Sequence, residues 1–224
     1  MLFVTQDGSH SLFSAQIGEA YHSRHGAIQE SQHVFIKMGL QEIVKTNREV
    51  KILEIGLGTG LNALLSMLQA SAEKCKVSYT AVEAYPISID QVRSLNYLQM
   101  LDAADLAPEF LQMHLSPWQE FVQLTDDFEI YKCSSQIENC TFDRAYDCIY
   151  FDAFAPQAQP ELWTTTIFEK MFQFCKPGGI LVTYCAKGDV RRNMISAGFE
   201  VEKVPGPPGK REMLRARRPA NKNA

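Results

Sequence analysis

From residue 51 onward, short apolar runs bounded by glycine or an acid alternate with segments whose apolar residues recur at helical spacing. Residues 51–55 (Lys-Ile-Leu-Glu-Ile) predict a first strand, a glycine turn follows, and 61–68 predict a helix. Residues 77–82 predict a second strand that ends at Glu83, and 87–101, after Pro86, the next helix. Residues 111–115 give a third strand, and Pro117 suits the first turn of a short helix through 120–124. The polar stretch 126–143 reads as an insertion. Residues 146–151 (Tyr-Asp-Cys-Ile-Tyr-Phe) predict a buried strand ending at Asp152, and 161–174 an amphipathic helix carrying Leu162, Ile167, Phe168, Met171 and Phe172.

Beyond Pro177-Gly178-Gly179, read as a turn, come a strand over 180–183, a helix over 190–197 capped by Gly198, and strands over 199–204 and 212–217. Helices separate the strands except at the last pair, which a short Pro/Gly loop joins, so that pair is expected antiparallel and the others parallel. The expected fold is α/β and Rossmann-like, a mostly parallel seven-stranded sheet with an antiparallel last strand. Residues 1–50 read as a small helical or irregular N-terminal extension packed on a catalytic domain of residues 51–224.

Composition narrows the class. With 224 residues and 46% hydrophobic side chains the chain can bury one sizeable core, which excludes disordered, collagen-like and coiled-coil readings. No window of about 20 apolar residues exists, and the first residues lack the basic and apolar regions of a secretion signal, so a cytoplasmic protein without a membrane partner is expected. The six cysteines form no Cys-x-x-Cys pair and have no histidine at ligand spacing, which favours reduced thiols. Of them, Cys133 and Cys140 are the two placed to pair. His22, His25 and His33 do not match a helical ligand set, so no metal is expected. Charge is uneven: residues 187–224 carry 10 basic and 4 acidic side chains on a chain whose net charge is −4. A basic end on an acidic body suits a phosphate-rich partner, and equally a solvated tail.

The local motif with most chemistry is Glu54-Ile55-Gly56-Leu57-Gly58-Thr59-Gly60-Leu61-Asn62, directly after the first strand. Glycines at alternate positions let the backbone turn sharply and approach a ligand closely, while the next helix offers free N–H groups. The dinucleotide fingerprint needs its third glycine at 61, where this chain has Leu61. Glu83 lies about 20 residues past the glycines, where a strand-end acid accepts from both ribose hydroxyls. Trp118, whose alternative is a place in the core, is the candidate for stacking on a base. Asp152, at the carboxyl end of its strand, is placed to orient an amine acceptor and help remove its proton, with Phe154 and Pro156 walling the pocket.

These residues resemble the methyltransferase part of the MnmC-type tRNA-modifying enzymes. The resemblance rests on 21–35, Gly56-x-Gly58-Thr59-Gly60-Leu61-Asn62, Glu83, Asp152-x-Phe154-Ala155-Pro156, Pro160-x-x-Trp163, Pro177-Gly178-Gly179, Val190-Arg191-Arg192, Gly198-Phe199 and Lys210-Arg211-Glu212-Met213. It implies a class I fold dependent on S-adenosyl-L-methionine (SAM). It also implies methyl transfer to the amine of 5-aminomethyl-(2-thio)uridine at the wobble position of tRNA, giving 5-methylaminomethyl-(2-thio)uridine. The implied cofactor set is Glu54, Gly56, Gly58, Thr59, Gly60, Asn62, Glu83 and Trp118. The implied catalytic set is Asp152, Phe154 and Pro156, and the substrate set Tyr21, Glu30, Trp163, Arg191, Arg192, Lys210 and Arg211. Because the sequence ends at Ala224, it implies the stand-alone form without a flavin oxidase, the anticodon loop being the partner and separate enzymes making the amine.

A wobble base can be splayed into an aromatic pocket while basic residues track the flanking phosphates, for which Arg215, Arg217 and Arg218 are further candidates. Their alternative is a charged edge strand protected from aggregation. The competing functions are methyl or aminopropyl transfer to a small-molecule amine and a nicotinamide-dependent oxidoreductase, the latter disfavoured by the glycine spacing.

Overall fold

The computed structural model describes residues 1–220. Three short strands, β1 (Leu2–Val4), β2 (His10–Ser14) and β3 (Glu19–Ala20), open the chain as an antiparallel sheet. A helix follows whose first turn, α1 (Ala27–Ser31), runs without a break through a π-helical stretch (Gln32–Leu40) into α2 (Gln41–Val44). Val34, Phe35, Leu40 and Val44 on this helix are buried against the main sheet. Thus the first 50 residues, expected to be helical or irregular, also hold a small sheet.

The main sheet begins with β4 (Glu49–Ile55), continues through α3 (Leu61–Glu73) to β5 (Lys76–Val82), then through the short helices α4 (Ile89–Arg93), α5 (Tyr97–Met100) and α6 (Ala107–Leu115). The hairpin β6 (Phe121–Thr125) and β7 (Phe128–Cys133) precedes β8 (Tyr146–Phe151), α7 (Thr165–Phe174), β9 (Cys175–Thr183), α8 (Gly188–Ser196), β10 (Glu200–Pro205) and β11 (Glu212–Arg217). The strand order is β10-β11-β9-β8-β4-β5-β7-β6. Strands β9, β8, β4, β5 and β7 are parallel, and β11 is antiparallel to both β9 and β10. The antiparallel final strand is therefore as expected.

The third parallel strand is not where the sequence pattern put it. Residues 111–115 are the end of α6, whose first turn holds Pro108, and 120–124 fall largely in β6 rather than in a helix. The true third strand, β7, lies inside the stretch read as an insertion, and β6 pairs beside it as an eighth strand. Charge disguised it: Phe128, Ile130 and Lys132 point inward in strict alternation. Lys132 is buried because its Nζ donates to the His114 carbonyl at 2.8 Å and lies 4.7 Å from the centre of the Trp118 ring.

The helix expected over 87–101 is broken between α4 and α5. Asn96 there accepts from the His10 amide and donates to the Gly8 carbonyl, tying this edge to the N-terminal sheet. Residues 177–179 are not a separate turn but an irregular opening of β9. The cysteines are free, with the Sγ atoms of Cys133 and Cys140 3.4 Å apart. Among the described residues no helix is long and apolar enough to cross a membrane.

Both faces of the sheet are covered. Along β8, Cys148 and Tyr150 face the helix over 27–44 and α3, while Ile149 and Phe151 face α7 and α8. The chain adds β5 and β7 on one side of β4, then β8 and β9 on the other, so strand order reverses between β4 and β8. Ligands in open α/β sheets bind outside the strand ends at such a point. There the Asp152 amide donates to the Ile55 carbonyl at 3.0 Å, which brings the glycine turn and the Asp152 block side by side.

Candidate active site

The glycine turn leaves β4 through Gly56, whose φ is +92°. A Cβ at Gly56 would stand 2.8 Å from the Asp152 carbonyl oxygen, so only glycine lets the two strand ends meet. The Gly58 amide donates to Glu83 Oε2 at 2.8 Å, and the Tyr85 amide to Glu83 Oε1 at 2.7 Å. Glu83 thus holds the turn, and each oxygen keeps a further lone pair for a ligand in the cavity it lines.

Behind the turn, one amide joins two carboxyl groups. Asn62 Nδ2, at the start of α3, donates to Glu54 Oε1 at 2.8 Å and to Asp152 Oδ2 at 2.7 Å. Glu54 is fully buried; burial first, then the neighbouring Asp152, push its carboxyl well above the usual range. Burial likewise pushes Asp152 up to about 7, with the Asn62 hydrogen bond pulling it down, Glu30 raising it and Lys210 lowering it. Asp152 therefore exchanges a proton near neutral pH, as suits a group that accepts one from a substrate.

The opposite wall comes from the ends of the chain. Tyr21, after β3, meets Phe154 edge-on with ring centres 5.0 Å apart, and burial with Glu83 nearby pushes its hydroxyl up to about 12. Glu30 in α1 is 8% exposed and accepts from Lys210 Nζ at 3.0 Å, while Glu30 Oε2 has no partner. Lys210 Nζ also sits 4.2 Å from the centre of the Tyr184 ring, and the Tyr184 hydroxyl donates to the Ala153 carbonyl at 2.9 Å. Trp163 Nε1 donates to the Phe154 carbonyl at 2.8 Å, and the Ala155 amide to Glu19 Oε2 at 3.2 Å, so the segment after β8 is fixed from both sides.

One cavity of about 410 Å³ is shared by these groups. Of the expected residues, Gly56, Gly58, Thr59, Asn62, Glu83, Asp152, Phe154, Tyr21, Glu30 and Lys210 line it. Others do not. Glu54 and Gly60 stand behind the turn, and Pro156 turns away between Ala155 and Gln157, which do line it. Trp118 packs on Lys132 at the edge of the sheet, so it is not placed to stack on a base, and Trp163 supports Phe154 from the core. Arg191, Arg192 and Arg211 lie outside the cavity. Arg215, Arg217 and Arg218 are engaged within the fold, with Glu202, the Gly178 carbonyl and the carbonyls of Phe172 and Cys175 respectively.

Sequence reasoning missed Tyr184, although its place directly after a buried strand was a usable signal, and residues 135–138, which line the cavity beyond β7. Burial also pushes His22 down to about 4, and no cluster of three or more histidine, cysteine or acidic side chains among the described residues could hold a metal ion.

Does this site fit S-adenosylmethionine? The turn that a Cβ would close, the acid on the neighbouring strand holding that turn, and an apolar cavity running past both are a cradle for an adenosine, open to Asp152 beyond it. Fold and site together define a class I methyltransferase. A family model described as S-adenosyl-L-methionine-dependent methyltransferase matches residues 105–219, more than half of the chain, and the chain belongs to that family.

The resemblance drawn from the motifs is borne out by the relatives. The chain is 30% identical over 96% of its length to the tRNA 5-methylaminomethyl-2-thiouridine biosynthesis bifunctional protein MnmC of Aromatoleum aromaticum, covering 35% of that protein. It is 31% identical over 90% of its length to the MnmC of Ectopseudomonas mendocina, covering 32%. The chain thus spans about a third of the curated relatives it matches. Its fold is that of MnmC2 from Aquifex aeolicus, with a TM-score of 0.80 at 23% identity, covering 98% of this chain and 70% of that one.

Proposed function

We propose that this methyltransferase acts on the amine of 5-aminomethyl-(2-thio)uridine at the wobble position of tRNA, giving the 5-methylaminomethyl nucleoside. The observation that carries this reading is Asp152, a carboxyl group pushed up to about 7, set in the same cavity as the glycine turn and lined as well by Tyr21, Phe154 and Tyr184. The names of the MnmC relatives support the choice of acceptor.

In this reading Glu83 and the backbone of 56–59 hold the adenosine, and residues 135–138 close over it. Bound there, S-adenosylmethionine supplies a methyl group on a positively charged sulfur, and its transfer leaves positive charge on the acceptor nitrogen. Asp152, aimed by Asn62, takes the proton that the arriving ammonium must lose before its lone pair is free. The aromatic side chains wall the flipped base. Residues 1–50 supply acceptor contacts through Tyr21 and Glu30, while residues 51–220 supply the cofactor cradle. Arg191, Arg192 and Arg211 are the candidates for flanking phosphates.

The test is incubation of the purified protein and S-adenosylmethionine with tRNA carrying the aminomethyl wobble nucleoside, followed by mass spectrometry of the nucleosides. Conversion to the methylated nucleoside supports the reading. Methylation of free amines but not of the tRNA would replace it with small-molecule transfer.

A further inference from the structure

The Glu30–Lys210 pair is unusual in two respects. Its carboxylate is buried yet half used: Oε1 receives the Lys210 ammonium at 3.0 Å, whereas Oε2 is buried and lacks a partner. A buried carboxylate oxygen without a donor is costly, and such a group calls for an explanation. The pair also lies in the cavity with Asp152, so two carboxyl groups share one resident ammonium. When Asp152 is ionised, the cluster is one positive charge short.

Resting on the proposed acceptor, we propose that Glu30 is the counter-ion for the acceptor's ammonium, and that Lys210 holds that place until the acceptor arrives. Lys210 shows how a cation is received here: a carboxylate on one side and the face of Tyr184 on the other. Lys210 sits just ahead of β11, and its side chain is about a third exposed, so it can withdraw toward solvent as the acceptor enters. The acceptor's ammonium passes one proton to Asp152, and its nitrogen becomes positive again when the N–C bond forms. Glu30 faces positive charge before and after that step, and it stabilises the charge as it develops on nitrogen. Glu30 is thereby a specificity residue for cationic acceptors, distinct from Asp152, which takes the proton.

The experiment measures binding, without cofactor, of two anticodon stem-loops that differ only in carrying 5-aminomethyluridine or uridine at the wobble position. The wild-type protein is expected to prefer the amine-bearing RNA by about tenfold or more, equivalent to about 1.4 kcal/mol. Glu30→Gln is expected to bring that ratio to about one. Lys210→Met is expected to keep or enlarge the ratio, since the acceptor then meets an unpaired carboxylate. A Glu30–Lys210 contact that serves only the fold predicts that both variants lose the ratio alike, and this outcome overturns the proposal. So does a Glu30→Gln protein that is folded by its thermal transition and keeps the full ratio. If the wild-type protein methylates the amine-bearing tRNA but Glu30→Gln keeps its preference, the counter-ion role alone falls. If the wild-type protein neither prefers nor methylates it, the acceptor reading falls as well.

Discussion

Asp152→Asn should make the protein more stable and nearly inactive, with a pH dependence that identifies the cause. The asparagine amide has almost the shape of the carboxyl group, and its oxygen can still accept from Asn62 Nδ2, now at 2.7 Å from Asp152. What changes is the charge. Burial pushes Asp152 from 3.8 up to about 7. Between those values the folded chain holds a proton that the unfolded chain releases. The wild-type protein therefore has its full stability from this group below pH 3.8 and loses it as pH rises to about 7. A shift from 3.8 to about 7 costs about 2 kcal/mol at pH 5 and about 4 kcal/mol at pH 8. Glu54 is pushed up first by burial and then by Asp152, and Asp152→Asn removes that second push, so Glu54 adds to the variant's advantage in the same direction as pH rises. A chain of this length gains about 2–4 °C per kcal/mol. The melting advantage of Asp152→Asn over wild type should thus be about 5–10 °C larger at pH 8 than at pH 5. Differential scanning calorimetry at the two pH values measures it, with methyl transfer at pH 8 falling about a hundredfold or more. An advantage that does not change with pH, or a variant less stable at pH 8, would refute the charge argument.

Further outcomes follow from the same contacts. Gly56→Ala forces a Cβ to within 2.8 Å of the Asp152 carbonyl at a φ of +92°, and should cost about 2 kcal/mol or more in denaturant unfolding, with calorimetry showing weaker S-adenosylmethionine binding. Glu83→Gln loses a charged acceptor that holds Gly58 and Tyr85, and should weaken S-adenosylmethionine about tenfold or more; unchanged affinity would remove Glu83 from the cradle. Replacing Arg191, Arg192 and Arg211 together by alanine should flatten the log–log salt dependence of tRNA binding by about 2, whereas replacing Arg215 and Arg217 should leave that slope unchanged.

The parts of the site legible in the sequence are those whose physics is local. Strand β8 is buried at all six positions and reads as a buried strand because every residue but Asp147 is apolar or aromatic, and Asp152 is visible as the first polar residue after it. The glycine turn is visible because its conformation excludes other residues. Strand β7 was not legible because Lys132 and Glu129 look like surface residues; Lys132 is buried only because a carbonyl from α6 and the Trp118 ring happen to receive it. The same substitution of tertiary for local logic hides α6. Its Leu-Gln-Met-His-Leu end alternates like a strand, yet Met113 is fully buried and Leu111 only half, as a helix face requires.

Charge shows most plainly why the rest could not be read. The basic excess of the C-terminal third looks like one surface, but the fold divides it by partner. Arg215 pairs with Glu202, and Arg218 caps the carbonyls at the end of α7, so these cations secure the antiparallel end of the sheet. Lys210 instead reaches 180 residues back along the chain to Glu30. No spacing rule links those positions, since the contact exists only because the loop before β11 and helix α1 both close over the strand ends where β4 meets β8. The Glu30–Lys210 side of the cavity is therefore a product of topology, whereas the glycine turn of residues 56–62 is written in one continuous motif. It follows that substitutions in the N-terminal sheet, which positions Tyr21 and α1, should disturb acceptor selection before they disturb cofactor affinity.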